Sequence, residues 1–218
     1  MVEEPVIYPY LKNSSWSEAR TSPLFRRKAI VAIVIFTTIM MLLPYFFAVI
    51  EAREGVVLND WLLQQIPARD CSITLFICLW STSLLAMVRS FQHPGIFLRI
   101  IYLLIVITLT RVVTISLFPL EPPPGIIHLT DPLTSLTYGG RELFITKDLF
   151  FSGHTSNIFM ICLCLQKKKD KLFALLTTIM IGTLVLVQHI HYTIDVIVAI
   201  IFAYALVQIS KRVSFLNV

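Results

Sequence analysis

The feature that most constrains this chain is a series of six apolar runs, each about as long as a bilayer is thick. The six runs are 29–50, 71–88, 95–118, 149–166, 172–188 and 192–209. Four of them are uncharged. The third contains only Arg99 and Arg111 as charged residues, and the sixth contains only Asp195. A helix needs roughly 20 apolar residues to cross the hydrocarbon core, where it satisfies its own backbone groups. The sequence therefore predicts an all-α, polytopic membrane protein, a six-transmembrane-helix bundle.

Composition agrees with this prediction and indicates which kinds of partner to expect. Of the 218 residues, 56% are hydrophobic and only 14% are charged, whereas a soluble domain carries about 25% charged residues. The net charge of +5 is explained by a topology signal and by attraction to anionic lipid, so we expect no nucleic-acid partner. The four cysteines lie in predicted spans without zinc-type spacing, and we expect neither a metal nor a cofactor.

Basic residues predict the orientation of the bundle. Thirteen of the 18 lysines and arginines fall on one side: Lys12, Arg20, Arg26, Arg27, Lys28, Arg89, Arg99, Lys167, Lys168, Lys169, Lys171, Lys211 and Arg212. The positive-inside rule then makes both termini cytoplasmic. We expect a cytoplasmic tail at 1–28, a membrane catalytic domain at 29–210, a second tail at 211–218, and a long outer loop at 119–147.

Four ionisable side chains inside the predicted spans share one depth. His154 follows the outer end of the fourth run, His191 and Asp195 stand at the outer end of the sixth, and Arg111 is near the outer end of the third. All four fall within roughly the outer 10 Å of the bilayer. Ionisable groups at such depth indicate function by default, so we expect a site that opens to the non-cytoplasmic side.

These residue types suit phosphoryl transfer. His191 and Asp195 are spaced i,i+4, so the carboxylate can fix the imidazole tautomer and leave the other ring nitrogen as a nucleophile or base. His154 can serve as general acid for a leaving oxygen. Arg111 offers a planar fork for phosphate oxygens. A packing role for the histidines remains the alternative, since polar side chains also hydrogen-bond between membrane helices.

Further candidates surround these four. Ser152 and Gly153 stand close to a helix start, where donors and the helix dipole favour an anion, and we expect both to contact the substrate phosphate. Asp148, His189 and Tyr192 are accessory candidates. His189 and His191 do not form a metal pair, because residues i and i+2 do not face each other on a helix.

Two motifs carry a family resemblance. "DLFFSGHT" at 148–155 and "HIHYTIDVIVA" at 189–199, preceded by "RVVTISLFPLEPPPG" at 111–125, resemble the signature motifs of the sphingomyelin synthase family. That family lies in the type-2 phosphatidic acid phosphatase superfamily, in its C-terminal-motif branch. The resemblance covers roughly 70–205. It implies a six-helix bundle in which His191 is the nucleophile, Asp195 orients it and His154 completes a triad as acid and base.

The sequence also departs from the wider superfamily. Its lipid phosphatases usually carry a Ser-Arg pair that ends six residues before the nucleophilic histidine, but Leu184 and Val185 occupy those positions, and a Lys-x6-Arg-Pro motif is missing. A phosphomonoester dianion needs more positive charge than a diester does, so the departure favours a diester substrate. The short N-terminal tail favours a compact, bacterial type of relative of the sphingomyelin synthase family.

The sequence thus predicts a membrane lipid phosphotransferase. Through a phosphohistidine, it would move a phospho-head group from a phospholipid diester to a ceramide-like or diacylglycerol-like alcohol. The alternatives are a lipid phosphatase or phospholipase C-like hydrolase with the same triad, and a non-catalytic lipid-binding membrane protein. We expect the cell or inner membrane in a bacterium and the Golgi or plasma membrane in a eukaryote. The oligomeric state is left open.

Overall fold

The computed structural model describes residues 15–129 and 145–212. Within these ranges the chain forms seven α-helices: α1 Trp16–Thr21, α2 Pro23–Ala52, α3 Ser72–Gln92, α4 Pro94–Leu117, α5 Gly153–Cys164, α6 Lys168–Val187 and α7 Thr193–Arg212. A 3₁₀ turn occupies Leu63–Gln65. The outer parts of both predicted tails and the centre of the loop predicted at 119–147 lie outside the described residues.

Five of these helices, namely α2, α3, α4, α6 and α7, are long and apolar enough to cross a membrane. This is consistent with an integral membrane protein, and each helix corresponds to one predicted run. The remaining run, 149–166, forms only the 12-residue helix α5, which is about 18 Å long. It is short because Ser152 caps the helix and the preceding backbone is irregular, with Phe150 at φ 49°. The six-span count therefore stays a prediction.

Helix α5 lies in the middle of the bundle, in contact with α3, α4, α6 and α7. Apolar side chains on several of its faces are buried, among them Ile158, Met160 and Ile161. By contrast, the most apolar helix, α2, packs mainly against α4 and the short α1 and exposes most of its side chains. A helix that is apolar all round is suited to the centre of a bundle or to lipid, and this chain uses both options.

The connections 53–71 and 188–192 and the described segments 118–129 and 145–152 meet at one end of the bundle, which we call the loop end. Val56 donates its backbone N–H to the Pro119 carbonyl at 2.9 Å, and Ile127 donates to the Gln188 carbonyl at 3.1 Å. The Arg53 guanidinium donates to three carbonyls near the end of α4, those of Ile115, Ser116 and Phe118. These bonds satisfy several backbone groups of the described loop segments and tie the segments to one another.

The opposite end, which we call the short-turn end, comprises the α3–α4 turn at His93, the α5–α6 turn at 165–167 and helix α1. Arg89 pairs with Asp170 at 2.6 Å across α3 and α6. Within the predicted tail, Trp16 of α1 packs on Phe25 and Phe97.

Candidate active site

The first turn of α7 carries the predicted nucleophile pair. His191 precedes the helix by two residues, and its Nδ1 lies 3.2 Å from Asp195 Oδ2. The same carboxylate oxygen accepts the Tyr192 N–H at 3.1 Å. Asp195 is fully buried, and its Oδ1 has no hydrogen-bond partner among the described residues. The contact predicted from the i,i+4 spacing is present. It involves Nδ1 of His191, and the other ring nitrogen, Nε2, takes no part in it.

A carboxylate from another loop fixes the start of α7. Asp60 accepts the Thr193 N–H at 2.6 Å and the Thr193 hydroxyl at 3.1 Å. Burial would raise the pKa of Asp60, but these bonds and the Leu63 N–H hold the pKa below its ordinary value. Asp60 acts as a helix cap supplied from a distant part of the chain, and it holds the turn that carries His191.

Helix α5 begins beside this turn. Ser152 is its N-cap, with Oγ accepting from the Thr155 N–H at 3.4 Å, and the Ser152 N–H donates to the Asp195 carbonyl at 3.1 Å. Ser152 therefore links α5 to α7, and its fully buried hydroxyl is engaged in capping. The N–H groups of Gly153 and His154 lie in the first turn, where donors have no acceptor within the helix.

The two predicted catalytic histidines face each other across this junction. The ring centroids of His154 and His191 are 6.4 Å apart, and the ring planes are inclined by 65°. This separation is too large for a direct hydrogen bond between the rings.

Arg111 extends from α4 to the start of α5. Its Nε donates to the Phe151 carbonyl at 3.0 Å, and its Nη2 pairs with the Asp148 carboxylate. The guanidinium lies so close to Gly153 that a Cβ added there would stand 2.6 Å from Cζ. A side chain at this position would displace the guanidinium, so glycine allows its close approach to the start of α5.

The charges around Arg111 nearly balance. Burial would raise the pKa of Asp148, but the Arg111 guanidinium, and more weakly His191 and His154, hold that pKa below its ordinary value. The Asp148 carboxylate is paired directly with the guanidinium, whereas Asp195 contacts His191 and the Tyr192 N–H. The histidines must supply any excess of positive charge.

Glu51, at the end of α2, holds the segment that delivers Asp148. Its carboxylate accepts the N–H groups of Thr146 and Lys147 at 2.7 and 2.6 Å, and the Thr146 hydroxyl at 2.8 Å. Lys147 in turn pairs with Glu121 at 2.8 Å. Sequence reasoning missed Glu51, and its only sequence signal is a carboxylate placed at the outer end of an apolar run.

Two accessory candidates bind the loops together. The His189 ring contacts the Pro124 carbonyl through Nδ1 at 3.0 Å and the Ile66 carbonyl through Nε2 at 2.8 Å. Tyr192 donates its hydroxyl to the Glu121 carbonyl at 2.9 Å and accepts the Leu58 N–H at 3.1 Å. In this arrangement both side chains support the loop end.

Two cavities meet at Asp148 and His154. The larger, of about 480 Å³, runs between α3, α4 and α5 and also reaches Arg111 and Gly153. The smaller, of about 240 Å³, lies on the loop side and is also lined by Phe76, Ile126, His128, Leu129, Ile145, Thr146, Ile190 and His191. A group between the two histidines would therefore touch both spaces. Within the described ranges, no cluster of three His, Cys, Asp or Glu residues could hold a metal ion.

A comparison with known protein families bears on the C-terminal part of the chain. Residues 147–212 match the family model described as PAP2 superfamily C-terminal. The match supports the type-2 phosphatidic acid phosphatase superfamily for this part of the chain. Members of that superfamily are lipid phosphatases and phosphotransferases, which supports an enzyme of this general type. No curated protein matches the chain.

Proposed function

We propose that the protein is a membrane lipid phosphotransferase of the sphingomyelin synthase kind, acting on a phospholipid diester. The observation that carries this proposal is the pairing of His191 with buried Asp195, with the His154 ring 6.4 Å away, at the junction of two cavities. The carboxylate holds Nδ1 in its protonated form, so Nε2 keeps its lone pair for attack.

In the first half-reaction, Nε2 of His191 attacks the phosphorus of the donor lipid. A P–N bond forms, and the bond from phosphorus to the glyceride oxygen breaks. His154 donates a proton to that oxygen, which leaves as a diacylglycerol. The positive charge on the imidazole is stabilised by Asp195, while Arg111 and the N–H groups at the start of α5 face the phosphate oxygens.

In the second half-reaction, a lipid alcohol takes the place of the leaving group. His154, now neutral, accepts the proton of the acceptor hydroxyl as its oxygen attacks phosphorus. The P–N bond to His191 breaks, the phospho-head group moves to the new lipid, and both histidines return to their starting protonation states. The reaction needs no further co-reactant.

The charge balance supports a diester substrate. The only guanidinium described at the junction, that of Arg111, is already paired with Asp148. Val185, which stands where related phosphatases have an arginine, is wholly buried in the apolar core. A diester carries one negative charge, and a monoester close to two near neutral pH, so a site with little excess positive charge favours the diester.

A hydrolase with the same residues is the second candidate. The smaller cavity, lined in part by His128 and Thr146, offers water a route to the phosphorus atom. Hydrolysis and transfer differ only in whether water or a lipid alcohol attacks the phosphohistidine.

Mass spectrometry of the lipid products tests the proposal. Purified protein in detergent receives a phosphatidylcholine or phosphatidylethanolamine with a labelled head group, with and without ceramide or diacylglycerol. We expect the label in a new phospholipid only when the acceptor is present. Free phospho-head group without a new lipid would identify the hydrolase instead. Faster turnover of phosphatidic acid than of every diester would overturn the transferase proposal.

We propose further that the loop end lies on the non-cytoplasmic side, as the basic-residue bias predicts. Single cysteines at Asn59, on the loop end, and at Lys168, on the short-turn end, test this in a Cys71→Ser background. An impermeant thiol reagent should label the Asn59→Cys protein in intact cells and the Lys168→Cys protein only after permeabilisation. The reverse pattern would put the chemistry in the cytoplasm.

A further inference from the structure

The larger cavity extends far beyond the candidate active site. Along α4 its lining runs from Arg111 back to Phe97, a rise of roughly 21 Å. Its volume of about 480 Å³ lies within the range of small-molecule sites. Most of its wall is apolar, including Leu79, Met87 and Leu104. Such a space suits the hydrocarbon part of a lipid whose polar end reaches His154.

Three polar side chains interrupt this apolar wall away from the catalytic junction: Ser83, Ser90 and Asn157. A serine hydroxyl in a helix can bond to a carbonyl of its own preceding turn, so the two serines tolerate an apolar environment. An asparagine carries two donors and an oxygen acceptor on one rigid group. It needs partners outside its own helical turn.

Asn157 lacks such a partner for its oxygen. Its Oδ1 is buried and accepts no hydrogen bond in the part of the chain that the structure describes. A buried, unsatisfied amide oxygen destabilises a fold, and Leu or Met would fill the same space without that cost. The Asn157 side chain lines a cavity of ligand size, although its buried oxygen is turned away from that space. Rotation of the amide would bring the oxygen to the cavity, where a bound molecule could supply the missing donor.

The position of Asn157 defines where that donor stands. Asn157 follows His154 by three residues on α5, and side chains at i and i+3 are neighbours, with Cβ atoms about 5–6 Å apart. A lipid whose reacting oxygen meets His154 would therefore present the atoms two or three bonds away to Asn157.

We propose that Asn157 is a specificity-determining residue for the acceptor, an inference that rests on the proposed function. Its amide oxygen accepts a hydrogen bond from a second donor on the lipid alcohol, next to the reacting hydroxyl. The N–H of an N-acyl amino alcohol, or the free second hydroxyl of a monoacylglycerol, supplies that donor. Diacylglycerol offers only ester carbonyls at these positions and leaves Oδ1 unsatisfied.

The test compares acceptors of matched chain length, ceramide against diacylglycerol, in the full-length protein. We expect the wild type to favour ceramide about tenfold in kcat/KM, the size of one neutral hydrogen bond with its unsatisfied partner. Asn157→Leu should remove this preference by lowering kcat/KM for ceramide about tenfold more than kcat/KM for diacylglycerol. Ser83→Ala, in the same cavity, is the control and should retain the preference.

A binding measurement separates this inference from the proposed function. Ceramide added to detergent-solubilised protein should raise the thermal unfolding temperature of the wild type more than diacylglycerol does. The difference should vanish in Asn157→Leu, and in Asn157→Ser as a second variant that shortens the side chain. If the variants lose the binding difference but the wild type shows no transfer, Asn157 still determines which lipid binds, and the transferase proposal is rejected. A preference that survives both variants, or equal losses for both lipids, would overturn the inference.

Discussion

The loop end and the short-turn end are stabilised in different ways. At the loop end, carboxylates and aromatic or imidazole groups bond to the backbone of distant connections, as Glu51 does to Thr146 and Asp60 to Thr193. At the short-turn end, the described contacts are mainly the Arg89–Asp170 pair and the packing around Trp16. Long-range polar contacts are thus concentrated where the candidate chemistry lies.

The lengths of the connections explain much of this difference. One residue, His93, separates α3 from α4, so the helices themselves determine the turn. Long irregular connections carry many backbone groups that must find partners away from water. Side chains that satisfy those groups also fix the position of His191, Asp148 and Arg111. The same bonds that make the loop end stable therefore orient the site.

The strongest test of this contrast substitutes one histidine at each end. His191→Ala should lower turnover by roughly 10⁴-fold or more, because it removes the proposed nucleophile, and should abolish the acid-labile phosphoryl-enzyme. Asp195→Asn should cost less, since the geometry survives and only the counter-charge of the imidazolium is lost. Product formation and trapping of labelled enzyme measure both effects.

His93→Ala, at the short-turn end, is the matched control and should change turnover less than about twofold, as surface substitutions away from special features usually do. Near-normal product formation by His191→Ala would reject both the nucleophile and the contrast between the ends.

The second prediction compares two glycines. Gly153→Ala should lower kcat/KM by about tenfold to a hundredfold, because the new methyl would displace the Arg111 guanidinium and weaken a charge-assisted hydrogen bond to phosphate. Gly182→Ala, on α6, would bring a methyl to 3.1 Å from Val196 Cγ1. It should leave kcat/KM nearly unchanged, because a shift of a few tenths of an ångström in the Val196 side chain accommodates the methyl. If the two variants lost activity equally, close approach of Arg111 to Gly153 would not explain the effect.

The sequence predicted the parts of the site that follow from local spacing. The contact between His191 and Asp195 follows from the i,i+4 interval, and the common depth of Arg111 and His154 follows from counting residues along the runs. The first contact is present, because helix geometry converts sequence separation into distance; the common depth in a membrane stays a prediction.

Contacts between distant parts of the chain escaped prediction. Glu51 meets Thr146 across 95 residues, and Asp60 meets Thr193 across 133, which no local period encodes. The short length of α5 also could not be predicted. Hydropathy identifies an uncharged run, but it does not show that Arg111 donates a hydrogen bond to the Phe151 carbonyl just before the helix begins. Asn157 resembles any polar residue in a span until the cavity beside it is known.

The third prediction concerns the short-turn end alone. Asp170→Asn should lower the free energy of unfolding modestly, because Arg89 loses a carboxylate at 2.6 Å and solvent screens a pair near the surface. Acceptor-dependent kcat/KM should stay within about twofold of the wild type at temperatures below unfolding. A double-mutant cycle with Arg89→Met would isolate the pair. A large loss of activity at full folding would show that the two ends are coupled.

The smallest expected effect is an acid sensitivity of the loop end. The hydrogen bond from Lys147, and more weakly the Gly55 N–H and nearby charges, hold the pKa of Glu121 below its ordinary value of 4.5. A depressed carboxyl pKa contributes stability that is fully present above the unfolded-state pKa and is lost as pH falls through the folded-state pKa. Glu121→Gln should therefore lower the thermal unfolding temperature at pH 7, by a few degrees at most, and the two curves should converge as the pH falls below 4.5 through the lower folded-state pKa. Glu54→Gln, an exposed carboxylate on a neighbouring connection, is the control and should follow the wild-type curve. If the Glu121→Gln and wild-type curves ran parallel down to acid pH, the Lys147–Glu121 pair would not contribute to holding the segment that carries Asp148.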